Sequence, residues 1–228
     1  MTNIHHRSIT PLILANLENS DILILLGARQ VGKTSLMRLI EDHLAKNTNL
    51  KKFFFDAEDP LMRQQLNELN LASLPAWLQS LGVSLSEKIY LLIDEIQYLD
   101  NPASLLKIIH DHYPSIKLIV SGSSTLEIKN KLQDSLMGRK IIFHIDTLTF
   151  AEYLSFRNIP YPKLLTLSLP QILDNWETHY PIITASHASL FCHWLNFVVS
   201  GGFPRVALSQ DWNEAAKYLG EIKSTFLH

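Results

Sequence analysis

The chain has a single cysteine, Cys192, in 228 residues. One thiol excludes an internal disulfide framework and any zinc site built on several cysteines, and it makes a reducing, cytoplasmic compartment the default. Long apolar runs are missing too. No stretch approaches the roughly 18 to 20 residues needed to cross a bilayer, so no membrane partner is expected. The segment Met1 to Thr10 is polar, with His5, His6 and Arg7. The apolar run after it is broken by Pro11 and Asn16 and lacks a small-residue cleavage site, which makes it a poor signal peptide. Charge of one sign is not in excess either: 20 Lys+Arg against 22 Asp+Glu leave −2. That excludes the global basic surplus of a dedicated nucleic-acid binder and leaves only a local patch open. Internal repeats and low-complexity tracts are absent.

What is present is an ordinary globular balance, 46% hydrophobic and 18% charged, over a length that suits one domain and a fraction. Short apolar runs alternate with amphipathic ones. Ile22 to Leu26, Phe53 to Phe55, Ile89 to Ile93, Ile116 to Val120 and Lys140 to Ile145 read as five strands. Helical patterns fall at about Thr34 to Ala45, Leu61 to Leu81 in two pieces divided near Pro75, Ala103 to His112, and Thr125 to Leu136. This alternation predicts an α/β fold, a parallel five-stranded sheet flanked by helices, with ligands at the carboxyl ends of the strands. Beyond about Phe150 the character changes. Pro160, Pro162, Pro170 and Pro181 punctuate a Leu-rich stretch, and helices return at His187 to Val199 and Asn213 to Leu227. The chain divides on this reading into a sheet domain, residues 1–157, and a small helical appendage, residues 158–228.

Gly27, Ala28, Arg29, Gln30, Val31, Gly32, Lys33 and Thr34 fit G-x-x-x-x-G-K-[ST] without a mismatch, between a buried strand and an amphipathic helix. The glycines let successive N–H groups turn inward at a helix N-terminus and cradle an anion. Lys33 can reach β- and γ-phosphates, and the Thr34 hydroxyl can hold Mg²⁺. With Ser35 these residues form the candidate nucleotide-binding set. A chance turn is the bland alternative, but only 8 glycines are available in the chain to produce one.

The third strand ends in two carboxylates, Asp94 and Glu95. A charge at the end of a buried strand is costly unless a cation or donors meet it. Mg²⁺ beside Thr34 is the natural partner of Asp94, and Glu95, facing another way, can activate a water. The alternative is a strand leaving into a polar loop, which loses weight once the phosphate loop lies upstream. A GTPase would need a base-reading acid, and Asn130-Lys131-Leu132-Gln133 ends in Gln. Small-molecule kinases rarely carry a water-activating acid. ATP hydrolysis is the expected chemistry, with ATP and Mg²⁺ the expected cofactors.

GARQVGKT, LLIDEIQYLD, KLIVSGSS and SLMGRKIIFHIDTLTFAEYL occur in that order. Together they resemble the prokaryotic AAA+-type P-loop ATPases described as predicted ATP-binding proteins with a C-terminal domain of unknown function, and the stretch from Phe197 to Pro204 resembles that domain's start. The resemblance implies that Ser121, or Ser123, senses the γ-phosphate. The competing reading is a turn in which Ser124 caps the next helix. It also implies that Arg139 is an arginine finger acting in trans within a homo-oligomer. The competing reading there is a solvated or salt-bridged arginine. Members of the family are longer, whereas Ala215, Leu219, Ile222 and Phe226 carry a helical apolar stripe toward His228. The stripe suggests truncation, or an edge awaiting another subunit.

Other residues carry less. The histidines show no zinc-ligand spacing: His5/His6 and His110/His112 are not i, i+4, and His187 and His193 are too loosely placed. Cys192 reads as a buried small hydrophobe. The cluster Phe191, Trp194, Leu195, Phe197 and Val198 reads as core between the two parts. Lys51/Lys52, Lys129/Lys131 and Arg139/Lys140 are weak candidates for DNA contact. The resulting expectation is a Mg²⁺-dependent ATPase. Lys33 and the loop hold phosphates, Thr34 and Asp94 hold the metal, and Glu95 acts as base, assisted by Ser121 and Arg139. The alternatives are a low-turnover nucleotide switch, or a DNA-processing accessory with an unidentified protein partner.

Overall fold

A computed structural model describes residue 5, residues 7–123 and residues 135–226. Two compact units emerge: Met1–Ala28 with Gly32–Ile145, and Arg29–Val31 with Asp146–His228.

The first unit is a parallel five-stranded sheet in the order β2-β3-β4-β1-β5. Its strands are β1 (Ile22–Gly27), β2 (Lys51–Asp56), β3 (Ile89–Asp94), β4 (Ile116–Ser123) and β5 (Lys140–Ile145). The three inner strands are the apolar ones. β1 and β3 are buried along their full length and β4 up to its last residue, as strands covered on both faces must be. The edge strand β2 mixes Lys51 and Lys52 with Phe53, Phe54 and Phe55 and is only partly covered, a composition that discourages further pairing at a sheet edge.

Parallel neighbours require crossovers, and helices supply them. Before the sheet lies α1 (Thr10–Leu14), and between strands lie α2 (Lys33–Asn47), α3 (Pro60–Asn67), α4 (Leu74–Ser80) and α5 (Pro102–His112). Ile22, Ile24 and Leu26 project from one face of β1 into a core shared with Leu66, Leu74, Leu78, Leu106 and Ile109. Leu23 and Leu25, one residue out of phase, point to the other face. There α2 packs against the strands through its buried stripe of Leu36, Met37, Ile40 and Leu44. The break between α3 and α4 spans residues 68–73, and Pro75 sits in the first turn of α4 rather than at the division. A proline is tolerated there because its missing N–H has no intrahelical partner to lose. The helix expected from Thr125 lies largely outside the described residues, as do Ser124, Lys129, Lys131 and Asn130 to Gln133.

The second unit is helical: α6 (Phe150–Phe156), α7 (Leu169–Asp174), α8 (Trp176–Ser200), α9 (Pro204–Ala207) and α10 (Trp212–Phe226), with a 3₁₀ turn at Lys163–Thr166. Its core holds Leu148, Tyr153, Leu154, Phe156, Leu190 and Ala207. For that reason α6 groups with the helices, in the compact unit that begins at Asp146. Pro181, expected to interrupt, lies inside α8. As the sixth residue it lies past the first turn and forgoes one helical hydrogen bond, a cost that the 25-residue helix carries.

Three sequence expectations are corrected in this unit. Cys192 is exposed, and so are Phe191, Trp194, Leu195 and Val198, the last at 57%. At 100° per residue Leu190 and Phe197 share the packed face of α8, while Cys192 points nearly opposite. Phe197 packs against the core beside Phe150 and Tyr153, and Trp194, although exposed, sets the edge of its ring against Phe150. The stripe on α10 is also not left without a partner, because Ala215 and Ile222 are buried with Val206, and Phe203 and Leu219 pack against them.

Candidate nucleotide site

Because β4 lies between β1 and β3, the carboxyl ends of these three strands adjoin. Register sets Leu25 opposite Ser121 and Gly27 opposite Ser123, and it ends β3 at Asp94 beside Asp56 of β2. The phosphate loop leaves from Gly27, so the sheet itself gathers the loop, the acidic pair and the polar end of β4.

The loop turns through two left-handed residues, Gln30 (φ 65°) and Gly32 (φ 95°). Gly32 then stands at the N-cap of α2 without any side-chain cap. The first-turn N–H groups of Lys33, Thr34 and Ser35 therefore lack intrahelical partners at the positive end of a 15-residue helix, the arrangement that receives a phosphate. Thr34 and Ser35 are exposed, as are Arg29 and Gln30.

Lys33 is only 3% exposed. Its Nζ donates to Ala28 O at 3.0 Å and lies 3.7 Å from Glu95 Oε1. Asp94 is 1% exposed and Ser121 fully buried, and the Ser121 hydroxyl donates to Asp94 Oδ1. The backbone N–H of Glu95 donates to Ser121 Oγ at 3.2 Å and to Asp94 Oδ1 at 3.1 Å. Of the two candidate serines, Ser121 is thus engaged by the acidic pair. Ser123 presents its N–H to Gln97 Oε1 at 2.9 Å.

Glu95 adopts a left-handed backbone (φ 55°) ahead of a 3₁₀ turn, Ile96–Tyr98. A non-glycine residue there carries strain of about 1 to 2 kcal/mol. The kink sends Ile96 into the core while Glu95 stays at the site, 19% exposed. Gln97 donates from Nε2 to Glu95 Oε2. Sequence reasoning missed Gln97; the only signal was a carboxamide two residues after the acid.

Arg139 is not brought to this site. Its carbonyl accepts from Ile22 N at 2.8 Å, at the start of β1, whereas the loop begins at that strand's other end. Its Nε donates to Asp111 Oδ1 at 2.7 Å. That bond, with a second from His110, holds the Asp111 carboxyl down to about 2. Among the other basic candidates, Lys51 pairs with Glu87 at 3.0 Å.

A parallel sheet with this strand order and a strand–loop–helix phosphate cradle is a P-loop fold of the AAA+ type. The family model described as "AAA domain" matches residues 19–154. The chain belongs to this family of AAA-type ATPase domains. It is 31% identical over 167 residues to the uncharacterized protein MJ1637 of Methanocaldococcus jannaschii, covering 72% of this chain and 34% of that protein. It is 26% identical over 201 residues to MJ1544 of the same organism, covering 88% of this chain and 39% of that protein. The chain therefore spans little more than a third of the length of these relatives. Among solved structures it is similar to Cdc6p from Pyrobaculum aerophilum, with 16% identity, a TM-score of 0.48, and coverage of 69% of this chain and 50% of that one. It is also similar to AMPPCP-bound DnaA from Aquifex aeolicus, with 18% identity, a TM-score of 0.42, and coverage of 69% and 55%. Among the described residues no helix is long and apolar enough to cross a membrane.

Proposed function

We propose that the protein binds ATP with Mg²⁺ and hydrolyses it to ADP and phosphate, and that turnover drives a conformational change in a cytoplasmic assembly. The observation that carries this reading is the meeting of Lys33, Asp94 and Glu95 at the carboxyl ends of the inner strands, with Lys33 Nζ 3.7 Å from Glu95. The buried ammonium supplies a fixed positive charge for β- and γ-phosphates. A hydroxyl and a buried carboxylate, Thr34 and Asp94, are hard oxygen donors of the kind Mg²⁺ takes. When bound there, the ion would neutralise charge on the phosphates.

The chain's own residues account for the remaining steps. Incoming phosphate competes with Glu95 for the Lys33 ammonium, so binding releases the Glu95 carboxylate. The freed carboxylate accepts a proton from the attacking water, and the loop amides and Lys33 hold the charge that develops on the phosphate oxygens. Before nucleotide arrives, the same ion pair keeps the base occupied. That feature favours the second reading, a switch of low turnover that becomes an ATPase only when assembled.

The test compares two variants of the full chain. Glu95→Gln should retain ATP–Mg²⁺ binding and lose about 10²- to 10⁴-fold in kcat, while Lys33→Ala should lose binding itself. A Lys33→Ala protein that still bound ATP–Mg²⁺ at wild-type affinity would overturn the site.

A further inference from the structure

Among the described residues two side chains hold the Glu95 carboxylate, Lys33 and Gln97, and one of them stays in place when nucleotide binds. On the reading above, Lys33 transfers to phosphate. Gln97 does not: its Nε2 donates to Glu95 Oε2 while its Oε1 accepts from the Ser123 N–H at 2.9 Å. Both ends of the carboxamide are matched, donor to carboxylate and acceptor to main chain, which fixes the amide's orientation as well as its place.

β4 is shaped to admit this bridge. A Cβ added at Gly122 would lie 3.1 Å from Ile96 Cγ1, a tight approach, and 3.4 Å from Gln97 Oε1, an ordinary contact, so the bare backbone makes room chiefly for Ile96 in the turn that carries Gln97. Ser123, at the far side of the bridge, stands opposite Gly27, where the phosphate loop begins. A continuous line thus runs from the loop through the end of β4 and the Gln97 amide to the carboxylate.

The geometry points to Gln97 as a positioning residue for the hydrolytic reaction, tying the Glu95 carboxylate to the main-chain end of β4 so that the base follows the phosphate loop. The inference rests on Glu95 being the base. Gln97 does not touch substrate; it acts through Glu95. A displacement of about 1 Å in a reacting group can cost of order 10²-fold. The amide keeps the carboxylate from swinging once Lys33 has left it.

The experiment uses the full chain with steady-state ATP turnover and a fluorescent ATP analogue for binding. Gln97→Met keeps length without either hydrogen bond, and Gln97→Glu keeps size and polarity without the donor. Both should lower kcat about 10- to 100-fold while KM and analogue affinity stay within about two-fold. In a Glu95→Gln background neither should lower the residual rate further, because residues acting as one unit are not additive. Wild-type kcat in both variants, or a full additional loss in the Glu95→Gln background, overturns the coupling. The two readings fail separately. If Glu95→Gln keeps turnover, the base assignment falls and the coupling with it. If Glu95→Gln is inactive and both Gln97 variants are fully active, the base stands and the coupling alone is wrong.

Discussion

A single aspartate shows how far one side chain's surroundings can be read as stability. Asp111 receives Arg139 Nε at 2.7 Å and lies 3.0 Å from His110 Nδ1. The guanidinium first, and His110 second, hold its carboxyl down to about 2 from an ordinary 3.8. A depressed carboxylate binds fewer protons folded than unfolded, so its contribution is present above about 3.8 and is lost as pH falls through about 2. The thermal midpoint of the wild-type chain should therefore fall more steeply between pH 4 and 2 than that of Asp111→Asn, which cannot titrate at this position. Parallel curves for the two proteins across that window would show that the pair contributes nothing there. Glu95 carries the opposite kind of information. Its left-handed backbone (φ 55°) is a local cost whose return is the placement of a carboxylate beside Lys33.

At the scale of elements, two glycines of the helical unit should respond in opposite directions. Gly202 has φ 68°, its carbonyl accepts from Leu148 N at 2.7 Å, and a Cβ there would lie 2.7 Å from Leu148 O. Gly202→Ala should destabilise by more than the 1 to 2 kcal/mol that a left-handed alanine alone costs, about 2 to 4 kcal/mol once the backbone must shift. Gly220 sits inside α10 with open space where a Cβ would go. Gly220→Ala should stabilise by about 0.5 to 1 kcal/mol. Denaturant midpoints read by helical circular dichroism check both signs.

The elements differ in how openly the sequence declares them. The strands are legible because burial on both faces demands continuous apolar runs, and the phosphate loop because its chemistry is contiguous: Gly27 to Thr34 must be adjacent in the chain to work. Asp94 and Glu95 are legible for the same reason. Gln97 is not, because its meaning lies in a bond to Ser123, which is distant in sequence and adjacent only through sheet order. Nor is the exposure of Cys192, since composition says that α8 is apolar but not which face of it Leu190 and Phe197 will turn inward. Pro181 misled because one interior proline costs a helical hydrogen bond without ending a 25-residue helix.

For the molecule as a whole, the distance between Arg139 and the phosphate loop sets the argument. The arginine immediately precedes β5, beside the start of β1, and the loop lies past the end of β1, a six-residue strand. At about 3.3 Å per residue they are separated by nearly the full height of the sheet, roughly 17 to 20 Å, so Arg139 cannot serve its own subunit's phosphates. If it serves any, they belong to a second copy, and its bond to Asp111 must open for it to do so. This makes a complementation experiment decisive. Lys33→Ala supplies an intact Arg139 but no competent loop, and Arg139→Ala supplies an intact loop but no arginine. Each alone should turn over ATP slowly, about 10³-fold or more below the assembled wild type if the arginine has the weight usual for a finger. Mixed at micromolar concentrations, the pair should regain a substantial fraction of wild-type turnover, rising with total protein concentration. Wild-type specific activity should likewise rise with concentration, and Arg139→Ala alone should stay flat. A mixture no more active than the sum of its parts, with wild-type activity independent of concentration, would show that Arg139 serves only its salt bridge to Asp111 and that the chain hydrolyses ATP, if at all, as a monomer.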